Sequence, residues 1–136
     1  MPHTMDIIFT DGNRKTILMD SISYVTADNR DDIIITGSHG GTSSAGYAID
    51  AHVSAAFFND AGVGKNGAGI KGLEMLCDHN IIAVAVSHES AEIANAKDTY
   101  KNGIISQVNV CAAHAGIVIN SRVADCVTIL RTYLKK

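Results

Sequence analysis

Three short, continuous apolar runs constrain the fold of this chain more than any other feature. They cover residues 33–36, 55–58 and 81–86, and each is followed at once by glycine or small polar residues. A run of this length is typical of a strand that is buried on both faces, as in a parallel sheet. Stretches of helical period separate the runs, which is the arrangement of β-α units. We therefore expect a three-layer α/β fold with helices on both faces of a mainly parallel sheet.

The rest of the chain fits around these runs. Two β-prone runs within residues 6–19 flank the turn sequence Asp11-Gly12-Asn13, which predicts a hairpin ahead of the sheet. We expect β-α units over residues 32–97 and helices over residues 105–135. The predicted helices cover residues 42–53, 66–78, 90–96 and 106–114, and a last helix, capped by Asn120 or Ser121, presents Val123, Val127, Leu130 and Leu134 on one apolar stripe.

The composition is that of one globular domain over residues 1–136, because 46% of the residues are apolar and only 18% are charged. The net charge of -3 offers no broad cationic surface, so we expect no nucleic-acid partner. No apolar run approaches the roughly 20 residues that a bilayer requires, and the first residues lack a signal-peptide pattern. We expect a cytoplasmic protein with no membrane partner, and its apolar content predicts a homo-oligomer.

The three cysteines, Cys77, Cys111 and Cys126, are an odd number with no close pair. This spacing argues against a disulfide framework and against a zinc site built from thiolates. We expect all three to be small, buried apolar residues.

Polar residues after the apolar runs are the first candidates for a functional site. In open α/β sheets, ligands bind beyond the carboxyl ends of the strands, where helix amino termini also present N–H groups. A tight turn with a capped helix would explain most of the loop after the first run, but such a turn has no need for His39. The same loop suits an anion, and its candidate substrate-binding residues are Ser38, Gly40, Gly41, Thr42 and Ser43.

The loop after the second run combines an amide, a carboxylate, a lysine and three glycines. Gly62, Gly64 and Gly67 match the pattern G-x-G-x-x-G, but three residues separate them from the strand and the chain is short for a dinucleotide domain. Lys65 among these glycines suits a phosphate or carboxylate, and a solvated turn is the alternative. The candidate substrate-binding residues here are Asn59, Gly62, Gly64 and Lys65.

His88 follows the third run as His39 follows the first, and Ser90 beside it is a further candidate for substrate binding. If the three strands are neighbours, His39, Asp60 and His88 converge at one edge of the sheet. Asp60 would then orient a histidine that acts as general acid or base without a cofactor. A metal site made of the two histidines and the carboxylate is the alternative.

The sequence therefore predicts a small-metabolite enzyme, a hydrolase or a lyase or isomerase, that acts on a carboxylate- or phosphate-bearing substrate. One alternative is a non-catalytic module that binds a small anion with the same loops, and another is a metal-dependent enzyme. A serine nucleophile, Ser38, Ser43 or Ser44, would be a further route to acyl transfer.

Overall fold

A computed structural model of the chain describes residues 5–63, 67 and 70–135. The described strands form one sheet of six, whose order in space follows their order in the chain. The strands are β1 (Met5–Asp11), β2 (Arg14–Met19), β3 (Ile33–His39), β4 (Ala55–Asn59), β5 (Ile82–Val86) and β6 (Ile105–Val108). The helices are α1 (Thr42–Ala51), α2 (Gly72–Asp78), α3 (Ala96–Asn102), α4 (Val110–His114) and α5 (Val123–Tyr133).

The sheet is mostly parallel, as predicted. β1 and β2 form the expected antiparallel hairpin, β2 to β5 run parallel, and β6 returns antiparallel to β5. The hairpin supplies the outermost strands on one side of the sheet, so it does not separate the three predicted buried strands. β3, β4 and β5 are direct neighbours, which brings their carboxyl ends to the same edge of the sheet.

Alternate residues of the buried strands pack into two hydrophobic clusters, because successive side chains of a strand point to opposite faces. Ile33 and Ile35 of β3 belong to one cluster, and Ile34 belongs to the other. The cluster of Ile34 contains buried residues of α1 and α2, whereas the cluster of Ile33 contains residues of α3, α4 and α5. α1 and α2 share a cluster because right-handed crossovers that advance in one direction along a sheet lie on the same face.

Two of the predicted helices are wrong. Residues 90–95 form turns and bends, and the helix in this region begins later, at Ala96. Residues 106–114 divide between β6 and α4, because Asn109 ends the strand and caps the helix by accepting a hydrogen bond from the Ala112 N–H. The C-terminal part of the chain therefore adds an edge strand to the sheet and is not purely helical.

The last helix is in the predicted place, but its predicted cap is wrong. α5 begins after Arg122, which makes no side-chain cap hydrogen bond. Its apolar stripe is confirmed, since Val123, Val127 and Leu130 are buried in the hydrophobic cluster that contains Ile33. At 11 residues α5 is far shorter than the roughly 20 that a bilayer requires, and no helix in the described ranges is long and apolar enough to span a membrane.

Asn109 joins β5, α2 and α4 from a buried position, with only 1% of its surface exposed. Its Nδ2 donates to the carbonyls of Leu73 and Ile81 at 3.0 and 3.1 Å. Its Oδ1 accepts from the N–H groups of Ala83 and Ala112 at 3.2 and 2.9 Å. One amide side chain thus satisfies main-chain groups of three elements.

The prediction for two of the three cysteines is wrong. Cys77 and Cys111 form a disulfide between α2 and α4, with their Cα atoms 5.7 Å apart. The sequence does not predict this pair, because the two cysteines are 34 residues apart and the contact between their helices has no local sequence pattern. Cys126 is free and fully buried, as predicted, and burial raises the pKa of its thiol.

Candidate functional site

Asp60 and His88 are in direct contact beyond the carboxyl ends of β4 and β5. The Asp60 N–H donates to the Val86 carbonyl at 2.8 Å, which holds the two strand ends side by side. The Nδ1 atom of His88 lies 3.1 Å from Oδ1 of Asp60. The Asp60 side chain is 7% exposed and the His88 side chain is 48% exposed, so a buried carboxylate meets a ring that is open to solvent.

Asp60 accepts further hydrogen bonds through both carboxylate oxygens. The N–H groups of Gly62 and His88 donate to Oδ1 at 2.8 and 3.1 Å, and the Ser106 hydroxyl donates to Oδ2 at 2.7 Å. Burial by itself raises the pKa of Asp60, but the hydrogen bonds from Ser106, Gly62 and His88 favour the charged form more strongly and lower that pKa below its ordinary value. The carboxylate is therefore ionised at neutral pH.

The ionised carboxylate decides which nitrogen of the His88 ring carries the proton. A charged carboxylate can only accept hydrogen bonds, so Nδ1 must be the donor in its contact with Asp60. In the neutral ring, Nε2 is then unprotonated and can accept a proton. A half-exposed ring in this tautomer has the form of a general base that a carboxylate holds in place.

The loop at residues 61–63 wraps around the Asp60 carboxylate. Ala61, Gly62 and Val63 all have positive φ, at 52°, 72° and 67°, and the branched Val63 is strained in this region. The His88 ring packs over Gly62, where an added Cβ would lie 3.7 Å from the ring. Strained backbone of this kind is held by its surroundings and clusters at functional sites. Asp60 therefore shapes the loop as well as orienting the ring.

His39 lies at the exposed end of β3 and is paired in register with Asn59. Val86 of β5 pairs with Asn59 from the other side, so the ends of β3 and β5 are two strand spacings apart, about 9.6 Å. The His39 side chain makes no hydrogen bond or ion pair with any residue that the structure describes. The structure thus joins Asp60 to His88, and a cleft that both share with His39 stays a prediction.

Three of the predicted substrate-binding side chains bond to main-chain groups. The Ser38 hydroxyl accepts from the Ile22 N–H at 3.0 Å. The Asn59 amide is fully buried and donates to the Ala91 carbonyl at 2.9 Å. The Ser90 hydroxyl donates to the Ser87 carbonyl at 2.8 Å and accepts from the Ile104 N–H at 2.9 Å. These bonds hold the loops at the ends of the strands, and ligand binding by the three residues stays a prediction.

The loop between β3 and α1 packs closely against the start of α2. The Gly72 N–H donates to the Gly40 carbonyl at 2.8 Å, and a Cβ at Gly72 would clash with the Gly41 carbonyl oxygen. Thr42 and Ser43 lie in the first turn of α1 with their side chains exposed, and Gly41 supplies no side-chain cap there. Because α1 begins three residues after His39, the end of β3, the helix start lies near the carboxyl end of that strand.

Two predicted substrate-binding residues, Gly64 and Lys65, lie outside the described residues. The other two glycines of the pattern, Gly62 and Gly67, have φ values of 72° and 74°, which glycine adopts without strain.

Ser106 is the site residue that the sequence did not reveal. It lies on β6, whose pairing with β5 places the Ser106 hydroxyl against Asp60. The segment was predicted as a helix, and a lone serine 46 residues from its carboxylate partner has no local signature.

Within the described ranges, which include His39, Asp60 and His88, no group of three or more His, Cys, Asp or Glu residues is placed to hold a metal ion. No protein-family model, curated protein or solved structure matches this chain.

Proposed function

We propose that the chain is a small-metabolite enzyme that performs cofactor-independent acid-base chemistry, as a hydrolase or a lyase or isomerase, on a carboxylate- or phosphate-bearing substrate. The observation that supports this proposal is the hydrogen bond between the buried, ionised Asp60 and the half-exposed ring of His88. A carboxylate that served only to shape its loop would not require a half-exposed imidazole beside it.

In this proposal, Nε2 of His88 takes a proton from water or from the substrate and returns it later in the reaction. The imidazolium that forms is stabilised by Asp60, which keeps its charge because its pKa is held low. Positioned proton transfer of this kind contributes about 10²- to 10⁴-fold to a rate. His39, across the width of β4, is proposed as the second proton-transfer group, with the substrate bridging the two rings.

The anionic group of the substrate is proposed to bind at the loops that follow β3 and β4, and Lys65 stays its predicted counter-charge. The exposed hydroxyl groups of Thr42 and Ser43 support this placement. We also propose a three-layer arrangement with helices on both faces of the sheet, which the two hydrophobic clusters support. A cytoplasmic location and a homo-oligomeric state are further parts of the proposal.

The test uses small carboxylic acids and phosphate monoesters as probes. Binding is followed by ligand-observed NMR, and turnover is followed as deuterium incorporation from D₂O into the acids or as release of phosphate. We expect the wild type to turn over at least one probe, and we expect His88→Gln to slow that reaction at least about 100-fold with little loss of binding. His79→Gln is the matched control, because His79 is an exposed histidine at the end of α2.

Three outcomes distinguish the proposal from its alternatives. Binding with no turnover by the wild type would favour the non-catalytic anion-binding module. Turnover that His88→Gln leaves intact would exclude the acid-base role of that ring. Activity that appears only after a divalent metal is added would favour the metal-dependent enzyme.

A further inference from the structure

The Cys77–Cys111 disulfide lies near the amino-terminal ends of β4 and β5, whereas Asp60 and His88 lie beyond the carboxyl ends of these strands. It joins the end of α2 to the first turn of α4, and both of its cysteines are partly exposed. The chain from Ser54 to Asp60 follows β4 from one end of the strand to the other, and its six residue steps cover about 20 Å at 3.3 Å per residue. The disulfide is therefore separate from the proposed acid-base site.

Cys111 lines a cavity of about 280 Å³ between α4 and the start of β5. Its walls include polar groups from Ser54, Asn80, His114 and Tyr133, together with apolar side chains. The volume is near the lower limit of pockets that hold small molecules, about 300 Å³. A small molecule with its own polar groups thus has access to the Cys111 side of the bond.

The contact between α2 and α4 does not depend on the disulfide alone. Asn109 bonds to the Leu73 carbonyl of α2 and to the Ala112 N–H of α4, from a fully buried position. The start of α2 is held separately by the hydrogen bond from Gly72 to Gly40. We therefore expect that opening the bond releases the ends of two short helices and leaves the sheet and its core in place.

We propose that Cys77–Cys111 is a site of reversible thiol-disulfide exchange with a low-molecular-mass thiol that enters this cavity. The thiolate of the small molecule attacks Sγ of Cys111, and a new S–S bond forms between them. The Cys77–Cys111 bond breaks, and its electron pair stays on Sγ of Cys77, which takes up a proton. A second thiolate then attacks the mixed disulfide and releases a small-molecule disulfide. The chain gains two electrons and two protons, and two thiol molecules are oxidised.

Cys126 provides an internal control for this chemistry. It is fully buried, it makes no disulfide, and burial raises the pKa of its thiol, so it is poorly suited to react as a thiolate. Exchange in the folded protein should therefore change Cys111 and Cys77 and leave Cys126 unmodified.

The experiment treats the air-oxidised full chain with reduced glutathione at neutral pH without denaturant. Intact mass, peptide mapping and circular dichroism follow the reaction. We expect the disulfide to open while the circular dichroism spectrum stays that of the folded protein. In a second arm, Cys77→Ser is treated with oxidised glutathione, and we expect one glutathione per chain, attached to Cys111. Cys126→Ser should behave as the wild type in the first arm.

Resistance of the wild-type disulfide to glutathione until denaturant is added would overturn the proposal and make the bond purely structural. Three free thiols in the air-oxidised wild type, unchanged by diamide, would also overturn it. The first arm uses the unaltered chain, so the test stands even if Cys77→Ser does not fold. Neither result bears on His88, which is tested by turnover.

Discussion

Replacing Asn109 by alanine should destabilise the fold by about 3–5 kcal/mol. The side chain makes four hydrogen bonds, to Leu73, Ile81, Ala83 and Ala112, and all four are lost in Asn109→Ala. A typical intramolecular hydrogen bond contributes about 1 kcal/mol to stability, and buried groups left without a partner cost more. The Ala83 N–H is the most costly of these groups, because it belongs to the buried strand β5.

Urea denaturation gives the free energy of unfolding of wild type and variant, and the slope with denaturant shows whether both unfold in the same way. Asn102→Ala is the matched control, because the Asn102 amide is exposed and donates a single side-chain hydrogen bond, to Asp98 at 2.7 Å. We expect the control to lose less than about 1 kcal/mol. A loss below about 1 kcal/mol for Asn109→Ala, or equal losses for the two variants, would refute the role given to Asn109.

Two further predictions concern packing and pH. Gly72→Ala should destabilise the fold by about 2 kcal/mol or more, because its Cβ would meet the Gly41 carbonyl oxygen. Gly46→Ala should stabilise it by up to about 1 kcal/mol, because the new Cβ on α1 would meet nothing within 4 Å outside its own stretch of helix. Thermal melts check both predictions. Hydrogen bonds outweigh burial and lower the pKa of Asp60 in the folded chain. The ionised carboxylate therefore contributes fully to the stability of the fold above its ordinary pKa of 3.8, and this contribution is lost as pH falls through the lower pKa of the folded chain. The stability difference between wild type and Asp60→Asn should therefore shrink in that acid range, and a constant difference down to pH 2 would contradict it.

The central strands were predictable because burial on both faces leaves a continuous apolar run. Residues 33–36, 55–58 and 81–86 all lie in or next to strands of the sheet, and the turn at Gly12 marks the hairpin. β6 was not predictable in the same way. Its residues become a strand through pairing with β5 and through the cap that Asn109 supplies, and both depend on the tertiary fold.

The candidate site likewise contains one contact that the sequence predicts and others that it does not. Asp60 and His88 were predicted to meet because each follows a buried strand, and the contact between them depends only on those strands being neighbours. Ser106 and the Cys77–Cys111 pair could not be predicted, because each contact joins elements that only the folded chain brings together.

The role of Asp60 in orienting His88 is tested by the tautomer of the His88 ring, measured by ¹⁵N NMR on the uniformly labelled chain at a pH where the ring is neutral. The ring nitrogen shifts of His88 are assigned by comparison with His88→Gln. We predict that Nδ1 carries the proton and that Nε2 is unprotonated, because Nδ1 donates to the ionised Asp60 carboxylate. We also predict that Asp60→Ala shifts the ring toward the opposite tautomer. A wild-type ring protonated on Nε2, or a tautomer that Asp60→Ala leaves unchanged, would contradict the proposal that Asp60 orients His88 as a general base.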